Sequence, residues 1–430
     1  MWSLAVATGL GLAVRVAYVL IDRANMTFAG DAYFYHAGAN LLVHGHGFVE
    51  PFLYRLGQTA QAAEHPPLYL LYLAIPSSLG LTSSLTHLLW SCVLGGATVV
   101  VVGLLGRAVV GPRVGIIAAV LAALYPNLWI PDGSLEAETA AIFVTALTVL
   151  LAYHYVRRPT WWRLALVGAG CGAASLARSE LILLVPLIVV PLALLTRTRD
   201  LRTQLRWLGG ALLATLVVIG PWVGYNLSRF QHPVYLSSQF DALLASANCD
   251  TTYYGSLIGY FSVPCAEHYQ HQYDAHGDQS EQAIAYQKAA DTYVRHHKSR
   301  VPIVVGARLG RIVEVFKPQQ NLNLREFYDS IEKPVAVAAL VSYYVLALLS
   351  IVGAVVLRRR RQLLYPLLAP IAVVLITVAI TYANTRFRAP ADVMLAVLAA
   401  VAIDAIVSWW TSRGATVPTA HPDREPATVS

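Results

Sequence analysis

The chain has 430 residues, of which 57% are hydrophobic and only 13% charged, and its mean hydropathy is positive. So few charges cannot cover the water-facing surface of a soluble protein of this length, which excludes the ordinary soluble classes. The net charge of +7 does not mark a nucleic-acid binder, because the arginines stand in short clusters at the ends of apolar runs rather than on one polar module.

The apolar runs span about 16 to 24 residues, long enough at 1.5 Å per residue to cross a hydrocarbon core of about 30 Å. In chain order they are 2–21, 84–106, 114–131, 138–156, 163–177, 181–196, 206–226, 334–356, 362–382 and 389–411. The expected fold is therefore all-α, a polytopic transmembrane bundle of about ten spans. The run from Trp2 to Ile21 has no basic start and no small-residue cleavage site, and Arg15 interrupts it, so it reads as a retained helix rather than a signal peptide. Segment 66–80 is apolar for only about 14 residues and is broken by Pro76, which reads as re-entrant or interfacial.

Charge placement supports that choice. With 66–80 not spanning, Arg107 and Arg113, then Arg157, Arg158 and Arg163, then Arg197, Arg199, Arg202 and Arg206, and finally Arg358 to Arg361 all fall on one face. The positive-inside rule makes that face cytoplasmic. The run from 163 to 196 is expected to be a hairpin of two short helices turning at Arg178-Ser179-Glu180, with Gly168, Gly170 and Gly172 allowing close packing.

This topology divides the chain into an N-terminal transmembrane module at 1–226 that carries the catalytic residues, with its first loop at 22–66, an extracytoplasmic loop region at 227–333, C-terminal spans at 334–411, and a disordered cytoplasmic tail at 412–430. Within the first loop, Phe34, Ala37 and Leu41 share one helical face, as in a juxtamembrane helix lying on the membrane surface. No internal repeat of the kind that marks many transporters is present.

Nearly all unusual polar chemistry falls on the external side. Asp31 opens the juxtamembrane helix, where the dipole favours a carboxylate; the alternative is a plain N-cap. Glu64-His65-Pro66-Pro67 precedes the re-entrant segment and can equally be an extended turn. Asp132, Glu136 and Glu138 cluster at another helix end, and capping accounts for at least one of them. Arg178, Arg386 and Arg388 are external cations that run against the positive-inside tendency, so an anionic headgroup or phosphate is one partner and pairing with Glu180 or Asp132 the other. His36, His44, His46 and His65, with Asp31 and Glu64, match no strong metal-ligand spacing. No phosphate-binding glycine loop and no GxSxG elbow occurs. Cys92 and Cys171 lie in apolar runs. Cys249 and Cys265, the only external cysteines, are expected to form a disulfide, closing a loop of about 17 residues for about 3 kcal/mol.

Several segments resemble the GT-C superfamily of glycosyltransferases, especially bacterial relatives of protein O-mannosyltransferases and lipid A aminoarabinose transferases (glycosyltransferase family 39-like). They are GDAYFYHAGANLLVHGHGF, HPPLYLLYLA, YPNLWIPDGSLEAE, SLARSELILLVP and GPWVGYNLSRF, within about residues 1–230, and TRFRAPAD as a late echo. The resemblance implies a sugar donor on a polyprenyl phosphate, an acceptor hydroxyl on a glycan, lipid or protein arriving from the extracytoplasmic side, and surrounding membrane lipids. Asp31 matches the family's catalytic acid, Arg178 the basic residue of the equivalent hairpin, and Arg386 and Arg388 the late basic motif. Many relatives carry two acidic residues together in the first loop, whereas Asp31 is followed by Ala32, so no acid-pair or metal mechanism is carried over and no cofactor is expected. The implied reaction is a single inverting displacement with Asp31 as general base. A transporter or flippase of an anionic glycolipid is the rival reading, opposed by the scarcity of charges within the spans, where Arg15, Glu138 and Asp404 are the main ones.

Overall fold

The computed structural model describes residues 2–195, 200–272 and 277–414. Arg197, Arg199 and the part of the tail beyond 414 lie outside the described residues. Each of the ten apolar runs is largely helical, and no named strand occurs among the described residues. Among the described residues six helical segments are long and apolar enough to cross a membrane: Trp2–Arg23, Ser84–Val109, Glu138–Arg157, Leu201–Leu227, Lys333–Arg359 and Thr385–Ser412. A seventh is bent by 74° between Pro112–Leu124 and Pro126–Gly133. The remaining three runs are shorter, at Trp161–Ala177, Ser179–Leu194 and Tyr365–Ile380. The protein is thus a polytopic helical membrane protein.

Leu68–Ser78 has 11 residues with Pro76 inside it, a rise of roughly 16 Å and too short for a crossing. It packs on the first-loop helix Gly30–Val43, where Leu70 fills the space that a side chain at Gly38 would take. The hairpin turns at Arg178 through the short 3-10 segment Ser179–Leu183. Gly168 and Gly172 face Leu201–Leu227 at Ala211 and Thr215, and a Cβ at Gly168 would overlap the Ala211 carbonyl. Gly353 makes the same close approach to Leu398 between the last long spans. Small residues let these backbones touch, which is how helices gain contact where lipid offers no hydrophobic drive.

The basic ends of the helices gather at one side of the bundle. Arg157 donates to the carbonyl of Ala108 and Arg163 to those of His154 and Arg158, while Arg113 lies 3.4 Å from Asp404. On the opposite side the first loop is held down by Arg229, at the end of Leu201–Leu227. Its guanidinium donates to the carbonyls of Phe48 (2.8 Å) and Ala62 (2.6 Å) and to Asn226 Oδ1, and stacks 4.4 Å from the Tyr225 ring. The GPWVGYNLSRF segment therefore acts as a clamp on residues 48–62. In the long loop, a disulfide joins Cys249 to Cys265 and ties the chain after Gln239–Ala247 to Val263–Gln272.

The bundle also contains a buried ion pair. Arg15 Nε meets Asp132 Oδ2 at 2.7 Å, with neither side chain more than 2% exposed. The other guanidinium nitrogens donate to the carbonyls of Gly11 (3.0 Å) and Leu128 (3.1 Å). A buried pair survives in a low-dielectric interior only when its remaining donors are satisfied in this way. Gly95 makes room for it, since a Cβ there would overlap both Asp132 Oδ2 and Arg15 Nε. Gly95→Ala is therefore expected to cost roughly 3–5 kcal/mol, the loss of a buried pair, read as a lower melting temperature in detergent. Asp132→Asn should cost a similar amount, and the double variant less than the sum of the two; full additivity would show that Gly95 does not serve this pair.

Candidate active site

Asp31 is the second residue of Gly30–Val43, which Gly30 opens at φ +55°. The N-cap position belongs to Ala29, and no side chain caps that helix. The Asp31 carboxylate, 33% exposed, turns instead to Arg386 Nη2 at 2.9 Å and His65 Nε2 at 3.5 Å. His65 is held between the rings of Phe34 and Tyr35, at centroid distances of 4.9 and 5.0 Å, just before the two prolines that fix the entry to Leu68–Ser78.

Arg386 is placed by the 3-10 turn Thr385–Arg388, in which its own backbone N–H donates to the Asn384 side chain at 3.0 Å. Besides Asp31, its guanidinium reaches Glu136 at 3.0 Å, Glu138 at 3.3 Å and Asp329 at 3.8 Å. Arg178, at the break between Trp161–Ala177 and Ser179–Leu183, binds Glu138 and Glu180 and lies 4.7 Å over the Phe387 ring. Asp31, His65, Glu138, Arg178 and Arg386 together form one wall of a cavity of about 690 Å³. Ile182, Leu183, Ile376 and Ile380 add apolar surface to it, and residues 232–243 face it from the long loop.

These contacts set the protonation of the cluster. Burial alone would raise the Asp31 carboxyl, but Arg386 and His65 outweigh it and hold it well below the usual carboxylate range. Burial would lower the His65 imidazole, and the Asp31 charge raises it instead. For Glu136 and Asp329 burial wins against Arg386, pushing Glu136 well up and Asp329 to about 6. Around Arg386, carboxyls shifted in opposite directions thus stand side by side, Asp31 on the cavity wall and Glu136 and Asp329 behind it, the kind of arrangement that separates acid from base roles.

Three residues expected at the site lie elsewhere. Arg388 is buried on the other side of the turn, donating to Asp392 (2.9 Å) and the Ile312 carbonyl (2.9 Å), with Glu314 at 3.8 Å and the Tyr343 ring 3.5 Å beneath it. A 3-10 turn sends residues two apart to different faces, so only Arg386 reaches the cavity. Asp132 is consumed by Arg15. Glu64 does not line the cavity; its carbonyl accepts from Ser237, and burial together with the Glu50 charge pushes its carboxyl up to about 7. Conversely, of the Asp132, Glu136 and Glu138 cluster, in which capping is expected to account for at least one member, Glu136 and Glu138 bind arginines, and Ala137 occupies the N-cap of Glu138–Arg157. Two carboxylates facing two out-of-place external arginines was the available signal. Asp329, at the end of Pro318–Tyr328, had none.

The histidines separate. His36 Nδ1 meets His87 Nδ1 at 3.0 Å, His44 bonds to the Asn40 carbonyl and His46 to Tyr54. Among the described residues no three His, Cys, Asp or Glu side chains are grouped to hold a metal ion.

The fold is that of the GT-C glycosyltransferases, a class of polytopic helical membrane proteins. Residues 64–225 match the family model of dolichyl-phosphate-mannose-protein mannosyltransferases. The archaeal oligosaccharyltransferase AglB from Archaeoglobus fulgidus, solved with an inhibitory peptide and a dolichol-phosphate, superposes with a TM-score of 0.56 at 14% identity over 98% of this chain and 52% of its own. The apo form of the Archaeoglobus fulgidus oligosaccharyltransferase gives 0.55 at 13% identity, over 96% of this chain and 51% of its own. ArnT from Cupriavidus metallidurans, bound to undecaprenyl phosphate, gives 0.48 at 14% identity, over 94% of this chain and 78% of its own. The chain thus spans about half the length of the archaeal enzyme. No curated protein sequence matches it.

Arg388→Ala is expected to destabilise the protein by roughly 3–5 kcal/mol, because it strands Asp392 in the interior; a melting temperature equal to the parent's would place Arg388 at the site after all. For Glu64, the folded protein keeps a proton that the unfolded chain releases above its ordinary value of 4.5, so its contribution to stability falls as pH rises towards about 7. Glu64→Gln should flatten the pH dependence of the melting temperature over that window, and an unchanged slope would remove Glu64 as its source.

Proposed function

We propose that this protein is a membrane glycosyltransferase that moves a sugar from a polyprenyl-phosphate-linked donor to an acceptor hydroxyl at the extracytoplasmic face, with inversion. The observation that carries the reading is the cavity at Asp31, where an ionised carboxylate and two arginines share one polar wall and apolar helix surface lies beside them. A lipid-linked sugar phosphate needs those two kinds of surface together. The match of residues 64–225 to the mannosyltransferase family model and the fold shared with an oligosaccharyltransferase solved with dolichol-phosphate support the same class.

In the reaction the acceptor oxygen attacks the anomeric carbon and its proton passes to the Asp31 carboxylate. The bond from that carbon to the phosphate oxygen breaks, and polyprenyl phosphate departs with the electron pair. One displacement inverts the centre. Arg178 and Arg386 stabilise the charge that grows on the departing phosphate, the point where fixed cations count most. As Arg386 turns to the phosphate it leaves Asp31, whose basicity then rises towards that of an ordinary carboxylate.

Asp31→Asn keeps the size of the side chain and removes the proton acceptor, so transfer is expected to drop about 100- to 10,000-fold with donor binding and melting temperature retained. Transfer within a few-fold of the parent would end the assignment. Orientation is tested by single cysteines and an impermeant thiol reagent in intact cells. Gln58→Cys and Ser228→Cys should react and Arg360→Cys should not; reaction at Arg360→Cys alone would invert the topology and place the cavity on the cytoplasmic side.

A further inference from the structure

The cavity has a second wall whose chemistry differs from that of the first. It is built by residues 232–243 and the Gln279–His296 helix. Its serines are committed to the framework: Ser237 donates to the Glu64 carbonyl, Ser238 Oγ to Gln279 Oε1 at 2.9 Å and Ser280 Oγ to Asp278 Oδ1 at 2.5 Å. Gln239, Asp241 and Gln287 also line the cavity, and their side chains make no hydrogen bond or ion pair among the described residues. Asp241 is half-buried, and burial lifts its carboxyl to about 6. Phe240, 43% exposed, presents an apolar ring on the same helix.

We propose that this wall holds a neutral, hydroxyl-rich ring, a sugar, with Asp241, Gln239 and Gln287 as its hydrogen-bonding residues and Phe240 as an apolar floor. The inference rests on the glycosyltransferase reading and deepens it. Arg178 and Arg386 are the only Lys or Arg side chains among the described residues that line the cavity, and both stand on the other wall. A phosphate or sulfate placed against Asp241 would meet a carboxylate with no Lys or Arg on that wall to offset it, His232 being the wall's one imidazole. Sugar hydroxyls supply the donors that the carboxylate lacks, while amides both give and accept. A half-buried carboxylate without a partner is costly, and filling its acceptor sites recovers that cost. The ring can be that of the acceptor or that of the donor.

The test uses the full chain in lipid nanodiscs and ligand-observed NMR with three probes: neutral disaccharides, their sulfated counterparts, and farnesyl phosphate with and without a glycosyl group. Neutral saccharides are expected to bind and sulfated ones not. Asp241→Ala should weaken saccharide binding about tenfold or more, the effect of losing bonds to a charged group, and leave farnesyl phosphate binding unchanged. If the wall serves the donor, Asp241→Ala also erases the extra affinity that the glycosyl group gives farnesyl phosphate; if it serves the acceptor, that difference persists. The exposed Gln287→Ala provides the same readout should Asp241→Ala fail to fold. Equal binding of sulfated and neutral probes, no saccharide binding at all, or unchanged saccharide affinity in folded variants would overturn the proposal. Failure of the parent to bind farnesyl phosphate would strike at the donor reading instead.

Discussion

A single guanidinium gathers the molecule around the cavity. Arg386 lies within 4 Å of Asp31, Glu136, Glu138 and Asp329, which come from the first-loop helix, the segment leading into Glu138–Arg157, and the end of the long loop. In a chain with only 13% charged residues, four carboxyls around one cation cannot be incidental packing. Even with Arg178 on Glu138 and His65 beside Asp31, a poorly solvated site disfavours keeping all four ionised. Burial pushes Glu136 and Asp329 towards the neutral acid while Asp31 keeps its charge. The interaction that joins the loops is therefore also the one that distributes protons in the site.

That arrangement depends on supports outside the cavity. The turn carrying Arg386 is fixed from behind by Arg388, locked to Asp392 and the Ile312 carbonyl. The first loop is fixed by Arg229. The Arg15–Asp132 pair ties the first span to the segment just before Glu136. Each of these arginines satisfies backbone carbonyls as well as an acid or amide, so none presents an unpaired charge to lipid. The chain uses arginine in two ways: as braces that hold backbone carbonyls, and with carboxylate hydrogen-bond partners alone at Arg178 and Arg386, where an incoming anion can compete.

The sequence makes the spans legible because length and apolarity are local properties, and the arginine clusters order them on one face. The break at Arg178-Ser179-Glu180, the short Leu68–Ser78 helix and the close-packing glycines follow from the same local reading. Partner choice is not local. Arg386 and Arg388 stand in one motif, yet their partners lie 248 residues away at Glu138 and four residues away at Asp392. Asp132 and Glu136 stand four positions apart near one helix end, and only the fold decides that the first goes to Arg15 and the second to Arg386. Asp31 looks like a cap because acidic residues at helix starts usually are; the extended backbone at Ala29 moves the cap position upstream and frees the carboxylate.

That freedom has a chemical consequence on the glycosyltransferase reading. A base held well below the usual carboxylate range by an adjacent guanidinium is a poor proton acceptor while the site is empty, so water in the cavity is weakly activated. A sugar phosphodiester brings one negative charge and leaves as a phosphate monoester that carries up to two, so Arg386 is drawn from Asp31 most strongly as the bond to the sugar breaks. Asp31 becomes basic when an acceptor proton has to be taken, and the gain falls in the transition state rather than in the bound ground state, which is where stabilisation accelerates a reaction. Glu136, pushed well up by burial, is held towards its neutral form and opposes the phosphate less than a free carboxylate would, and Glu138 stays with Arg178. The crowding of carboxyls around one arginine, which looks hostile to an anionic substrate, is thereby compatible with one.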